Sequence, residues 1–199
     1  MNETYKVQVQ DLVDDLKAVF THAGLGGEAG EYKLLTQSFL YKFLNDKFLY
    51  QAKVLDESNT YENLLAMSEE DYDWLLEDIG TSTAWLKPNQ LIETLHRQQN
   101  EPTFYETFEN TLNQIAIDNN DIFSVHTDGD TAIRLFDERL ITDTISDSSK
   151  RNEVAKSIIN LLARVKFDET IFSQGFDFFS TLFEYMIKDY NKDGGGKYA

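Results

Sequence analysis

Along most of this chain, apolar residues return at steps of three and four, the repeat that places side chains on one face of a helix. The spacing predicts helices over residues 6–20, 31–53, 69–79, 89–98, 103–117, 150–165 and 177–190. The second is two-sided, with Tyr32, Leu35, Phe39, Phe43 and Leu44 on one face and Leu34, Tyr41 and Leu49 on another. A helix that is apolar on two sides belongs at the centre of a fold. Ser68, followed three residues later by Asp71, has the hydroxyl and carboxylate spacing that satisfies free amides at a helix start. Residues 81–87 (TSTAWLK) and 122–125 read as short strands at most, too short to build a sheet of consequence. The glycine-rich stretch 24–30 (GLGGEAG) and the polar stretch 118–130 (DNNDIFSVHTDGD) are loops. The expected fold is mainly α, a helical bundle-like domain with at most a short β-ribbon.

The last predicted helix carries Phe176, Phe179, Phe183, Met186, Ile187 and Tyr190 on one face and then meets Gly194, Gly195 and Gly196. Three glycines in a row are entropically costly to order, so they read as a linker to something that follows. The expected organisation is a helical domain over 1–190, with possible lobes 1–58 and 59–190, and a Gly-rich linker over 191–199.

Composition narrows the picture. A chain of 199 residues can bury a real core, and without cysteine it forms no disulfides. The first residues lack the basic-then-apolar order of a signal peptide, and no stretch approaches a membrane span, so a cytoplasmic protein is expected. Net charge is −17, and residues 56–147 alone hold 21 Asp and Glu against four Lys and Arg. That middle repels nucleic acid. Two segments run the other way: 33–53 with Lys33, Lys42, Lys47 and Lys53, and 150–166 with Lys150, Arg151, Lys156, Arg164 and Lys166. These are the candidates for contact with DNA or a partner. Ordinary solvated helix faces are the plainer account of both, because the cations do not fall on a single stripe.

Candidate chemistry is sparse. Gly24, Gly26 and Gly30 miss the spacing of a nucleotide-binding loop and follow a helix where a strand is needed. Asp189, Asn191, Asp193 and Gly194 match the first half of an EF-hand loop, but Gly196 stands where a bulky apolar residue packs, so a helix-ending turn explains them better. His22, His96 and His126 have no metal-ligand spacing, and Asp128 with Asp130 lies in a polar loop that offers no burial to shift a pKa. No catalytic, cofactor or metal residue is expected. Phe104, Phe108, Leu112, Ile115 and Ala116, like Val154, Ile158, Leu161, Leu162 and Val165, form core stripes, and Trp74 and Trp85 are expected to pack as well.

Three segments together carry a resemblance: Glu31-Tyr32-Lys33 opening the long apolar helix 31–51, the segment 135–165, and the aromatic helix with Leu182-Phe183-Glu184-Tyr185-Met186 before a glycine-rich connector. In order and spacing they resemble the N-terminal helical domain of the modification subunit (HsdM) of type I restriction-modification enzymes. The resemblance spans most of the chain. It implies a parent adenine-specific DNA methyltransferase that moves a methyl group from S-adenosylmethionine to the adenine N6 amine. It further implies that this domain serves subunit assembly and DNA clamping, with the specificity subunit, a second modification subunit, the restriction subunit and DNA as partners. The family's Asn-Pro-Pro-aromatic motif is missing, since Pro88 and Pro102 are isolated. By resemblance, then, the catalytic and cofactor-binding groups belong to a following domain.

Two rivals compete with that reading. An acidic DNA-mimic antirestriction protein would share the charge, but it has no need of the two basic segments or the two-sided helix. A helical protein-interaction adaptor is the other.

Overall fold

A computed structural model describes residues 3–81, 83–120, 135–167 and 171–172. The fold is mainly α. Its helices are α1 (Glu3–Ala23), α2 (Ala29–Leu55), α3 (Tyr61–Ala66), α4 (Glu69–Ile79), α5 (Ile92–Gln98), α6 (Phe104–Asp118), α7 (Leu140–Thr144) and α8 (Ser148–Arg164), with a 3₁₀ turn over Pro88–Gln90. No strand occurs among the described residues. The expected strand 122–125, the closing helix 177–190, the linker 191–199 and the half EF-hand pattern lie outside them.

α2 is the central helix, packed against α1, α4, α7 and α8. Leu34, Leu35, Phe39, Tyr41, Leu44, Phe48 and Ala52 are all buried, so apolar side chains leave it in several directions. Tyr32, expected on its inner face, stays partly exposed at the helix start. Buried residues from α1 through α8 join one hydrophobic cluster, with Phe20, Phe39, Phe104 and Phe108 among its fully buried side chains. Each fully buried aromatic or aliphatic side chain stabilises the fold by about 1.5–3 kcal/mol.

The turn between α1 and α2 explains the glycines at 24–30. Leu25 N–H donates to the Phe20 carbonyl at 2.9 Å and Gly24 N–H to that of Thr21 at 3.0 Å, the paired bonds that close a helix through a left-handed residue. Gly24 supplies it, with φ of 96°. At the start of α2, Gly27 N–H donates to the Glu31 carboxylate at 2.7 Å. The glutamate of the Glu31-Tyr32-Lys33 opening is therefore a buried cap.

The expected cap at Ser68 forms: Asp71 N–H donates to the Ser68 hydroxyl at 3.1 Å, and that hydroxyl donates to the Asp71 carboxylate at 2.6 Å. The helix expected over 89–98 is broken in two, because Leu91 is extended between the 3₁₀ turn and α5. Short α3 and α7 carry too few turns to show a periodicity.

Residues 83–87 pair with no strand among the described residues. A buried Asn119, at the end of α6, takes the place of a neighbouring strand: Trp85 N–H donates to its side-chain oxygen at 2.6 Å, and its amide nitrogen donates to the Trp85 carbonyl at 2.8 Å. Beside it, the Asp118 carboxylate accepts from Gln114 and Gln90, each at 2.8 Å, and pairs with Lys87 at 3.2 Å. Partial burial opposes ionisation of Asp118, but these donors outweigh it and hold the carboxyl below its ordinary range. A carboxyl with a depressed folded-state pKa adds stability above the unfolded value, about 3.9, and loses it as pH falls through the folded value. Asp118→Asn is therefore expected to flatten the acid limb of a stability profile below about pH 4, as read by urea unfolding at stepped pH.

Candidate functional site

Residues 42, 46, 49 and 53 recur along one face of α2, since eleven residues make about three helical turns. That face forms one wall of a cleft of about 780 Å³. Tyr61 and Glu62 of α3, Ile92, Glu93 and Arg97 of α5, and Ala163, Lys166 and Phe167 at the end of α8 complete the walls. Lys42 and Lys53 from the first basic segment thus meet Lys166 from the second.

The floor is a buried polar network. Lys42 Nζ lies 2.9 Å from Asp46 Oδ2, with only 4% of its side chain exposed. The same carboxylate accepts from Phe167 N–H at 3.1 Å and, through its other oxygen, from the Asn45 amide at 2.8 Å. Asn45 then accepts from Ile92 N–H at 2.9 Å, capping α5 from the side of α2. Burial pushes the Lys42 amine below its ordinary range; Asp46 works against that shift, and the nearby Lys166 charge adds to it.

On the rim, Arg97 is spoken for. Its guanidinium is 2.5 Å from Glu62, 3.4 Å from Glu93, and 4.8 Å from the centre of the Tyr61 ring. Lys53 and Lys166 are exposed and have no ion-pair partner among the described residues. Among the described residues they are the cleft's uncompensated charges.

The remaining candidates lie elsewhere. Lys33 pairs with Asp137 at 2.8 Å, Lys47 sits 5.7 Å from the Phe43 ring centre, and Arg164 bonds Asp15 at 2.7 Å. Lys150 and Lys156 are half-buried on α8. Two candidates need correction as surface contacts. Lys42 is buried against Asp46, and Arg151 spends its donors on the carbonyls of Ile145, at 3.0 Å, and Thr142, at 3.2 Å, closing the C-terminal end of α7. An arginine or lysine committed in this way is not free to meet a phosphate.

Sequence reasoning missed Arg97 and Tyr61 in the cleft, because nothing local ties them to α2. The eleven-residue step from Lys42 to Lys53 was the available signal. Among the described residues no group of His, Asp or Glu is arranged to hold a metal ion, and no helix is long and apolar enough to cross a membrane. The chain matches no family model, no curated protein and no solved structure.

Proposed function

We propose that this chain acts as the helical N-terminal domain of a type I restriction-modification modification subunit, serving subunit assembly and DNA clamping in an S-adenosylmethionine-dependent adenine methyltransferase of the cytoplasm. One observation carries the reading. Two of the three segments that bear the resemblance, about a hundred residues apart, are knit into one unit: Asp137 N–H donates to Gln37 at 2.9 Å, and Lys33 pairs with the Asp137 carboxylate. The order of segments in the sequence thus corresponds to a shared packing surface.

Lys53 and Lys166 are the best placed of the candidate cations to meet a phosphate, because they are exposed, on one rim and without an ion-pair partner among the described residues. This reading gives the methyl donor no place in the cleft. Its site belongs, on this reading, to the catalytic domain of the parent. Reversing both charges (Lys53→Glu with Lys166→Glu) in the assembled methyltransferase is expected to weaken DNA binding about tenfold and to lower the salt dependence by about one unit per lost contact. Unchanged affinity and slope would remove the DNA-contact role. Failure of the purified chain to bind purified specificity subunit would remove the assembly role.

A further inference from the structure

Trp74 was expected to pack in the core, and it does not. α4 buries Tyr72, Leu75, Leu76 and Ile79 on its inner side and leaves the Trp74 indole 61% exposed on the outer. Around it Glu69, Glu70, Asp73, Glu77 and Asp78 are exposed and have no cationic partner among the described residues. From 54 to 86 the sequence holds nine carboxylates and neither lysine nor arginine. The same stretch contributes Val54, Leu55, Leu65 and Trp74, four of the seven large apolar residues exposed among the described residues.

An indole left in water on a helix whose other side already anchors it adds nothing to the core, whereas exposed apolar side chains rimmed by charge mark interaction surfaces. Tryptophan is the side chain most enriched among residues that dominate binding energy, and its face attracts ammonium and guanidinium groups. The carboxylates decide what the partner is. They repel nucleic acid and anionic lipid surfaces and attract a cationic polypeptide. A phosphate mimic needs the carboxylates alone and gives no reason for the indole.

We propose that the outer face of α4, centred on Trp74, docks a cationic amphipathic segment of a partner polypeptide, with apolar side chains meeting Trp74 and arginine or lysine meeting Asp73 and Glu77. The site is separate from the cleft and does not depend on the methyltransferase reading.

The probe is a synthetic helical peptide with arginine and leucine at three- and four-residue steps, titrated by calorimetry against the whole chain, alongside a peptide with glutamate in place of each arginine. One-to-one binding of the arginine peptide is expected, weakened about tenfold or more by Trp74→Ala and to a similar degree by Asp73→Lys with Glu77→Lys. Glu153→Lys on α8, half that step in charge and on another face, is expected to change affinity less than about twofold. Both altered faces are solvent-exposed, so circular dichroism should show the helices retained. Equal affinity for wild type and Trp74→Ala, or equal binding of the glutamate peptide, would overturn the proposal. So would a concentration-dependent dimer that Trp74→Ala abolishes, because the occupant would then be a second copy of this chain.

Discussion

Asp46→Ala is expected to lower the free energy of unfolding by about 3–5 kcal/mol, the scale seen when one member of a buried ion pair is removed. The loss is large because a single carboxylate satisfies three donors: the Lys42 ammonium, the Asn45 amide and the Phe167 N–H. Lys42→Met should cost less, since Asp46, though left a buried anion, would keep two donors, whereas Asp46→Ala strands the cation and orphans the Asn45 amide and the Phe167 N–H as well. The asymmetry is the test, read by urea unfolding of the two variants side by side; equal losses would show that the pair is not the organising contact. The sign of the pH effect follows from the same site. In the Asp46→Ala variant the Lys42 amine loses the partner that opposed its lowering by burial, so the folded state holds fewer protons than the unfolded state, whose lysine titrates near 10.4. Stability therefore rises with pH, and the deficit of this variant should shrink as pH rises from the lowered folded-state value toward about 10.4.

Asn119→Ala is expected to cost about 3 kcal/mol, because it orphans both the N–H and the carbonyl of Trp85 while removing a fully buried side chain. The Ile115 carbonyl keeps its bond from the Asn119 backbone N–H at 3.1 Å, so the end of α6 itself should hold. What should loosen is the extended connection before the 3₁₀ turn. Thermal unfolding gives the size of the effect, and tryptophan emission moving toward longer wavelength as Trp85 meets water gives its location. A loss under about 1 kcal/mol would mean that water replaces the side chain without penalty.

Periodicity made α2, α6 and α8 legible in the sequence because each is long enough for three or more turns to repeat one face. Ser68 was legible for a different reason, since a cap is a local event between residues three apart. The extended run 83–87 could be recognised as non-helical, but its partner could not. Asn119 lies 34 residues away, and nothing in an asparagine announces that its side chain will stand in for a strand. The same limit hid the cleft. Lys53 and Lys166 approach one rim only because α2 and the end of α8 pack together, a tertiary fact with no local spacing rule. Lys42 shows the converse: its lysine codes for charge and solvent, yet its neighbour one turn on, Asp46, makes burial tolerable. Trp74 was misplaced because a lone tryptophan in a helix of alternating acids has the composition of either face, and only the positions of Tyr72, Leu75 and Leu76 decide which.

The Asp46 carboxylate reaches forward 121 residues to the Phe167 N–H, and α1 lies against α8. A ribosome synthesising this chain therefore releases α1 and α2 well before the residues that cover them exist. During that interval Phe20, Phe39 and Phe48 have no complete home, and Lys42, Asn45 and Asp46 are the part of the later floor that an emerging α2 brings with it. Contacts so distant in sequence close slowly. The nascent chain therefore exposes apolar surface until α8 has left the exit tunnel, and a chain truncated before residue 148 is expected to aggregate.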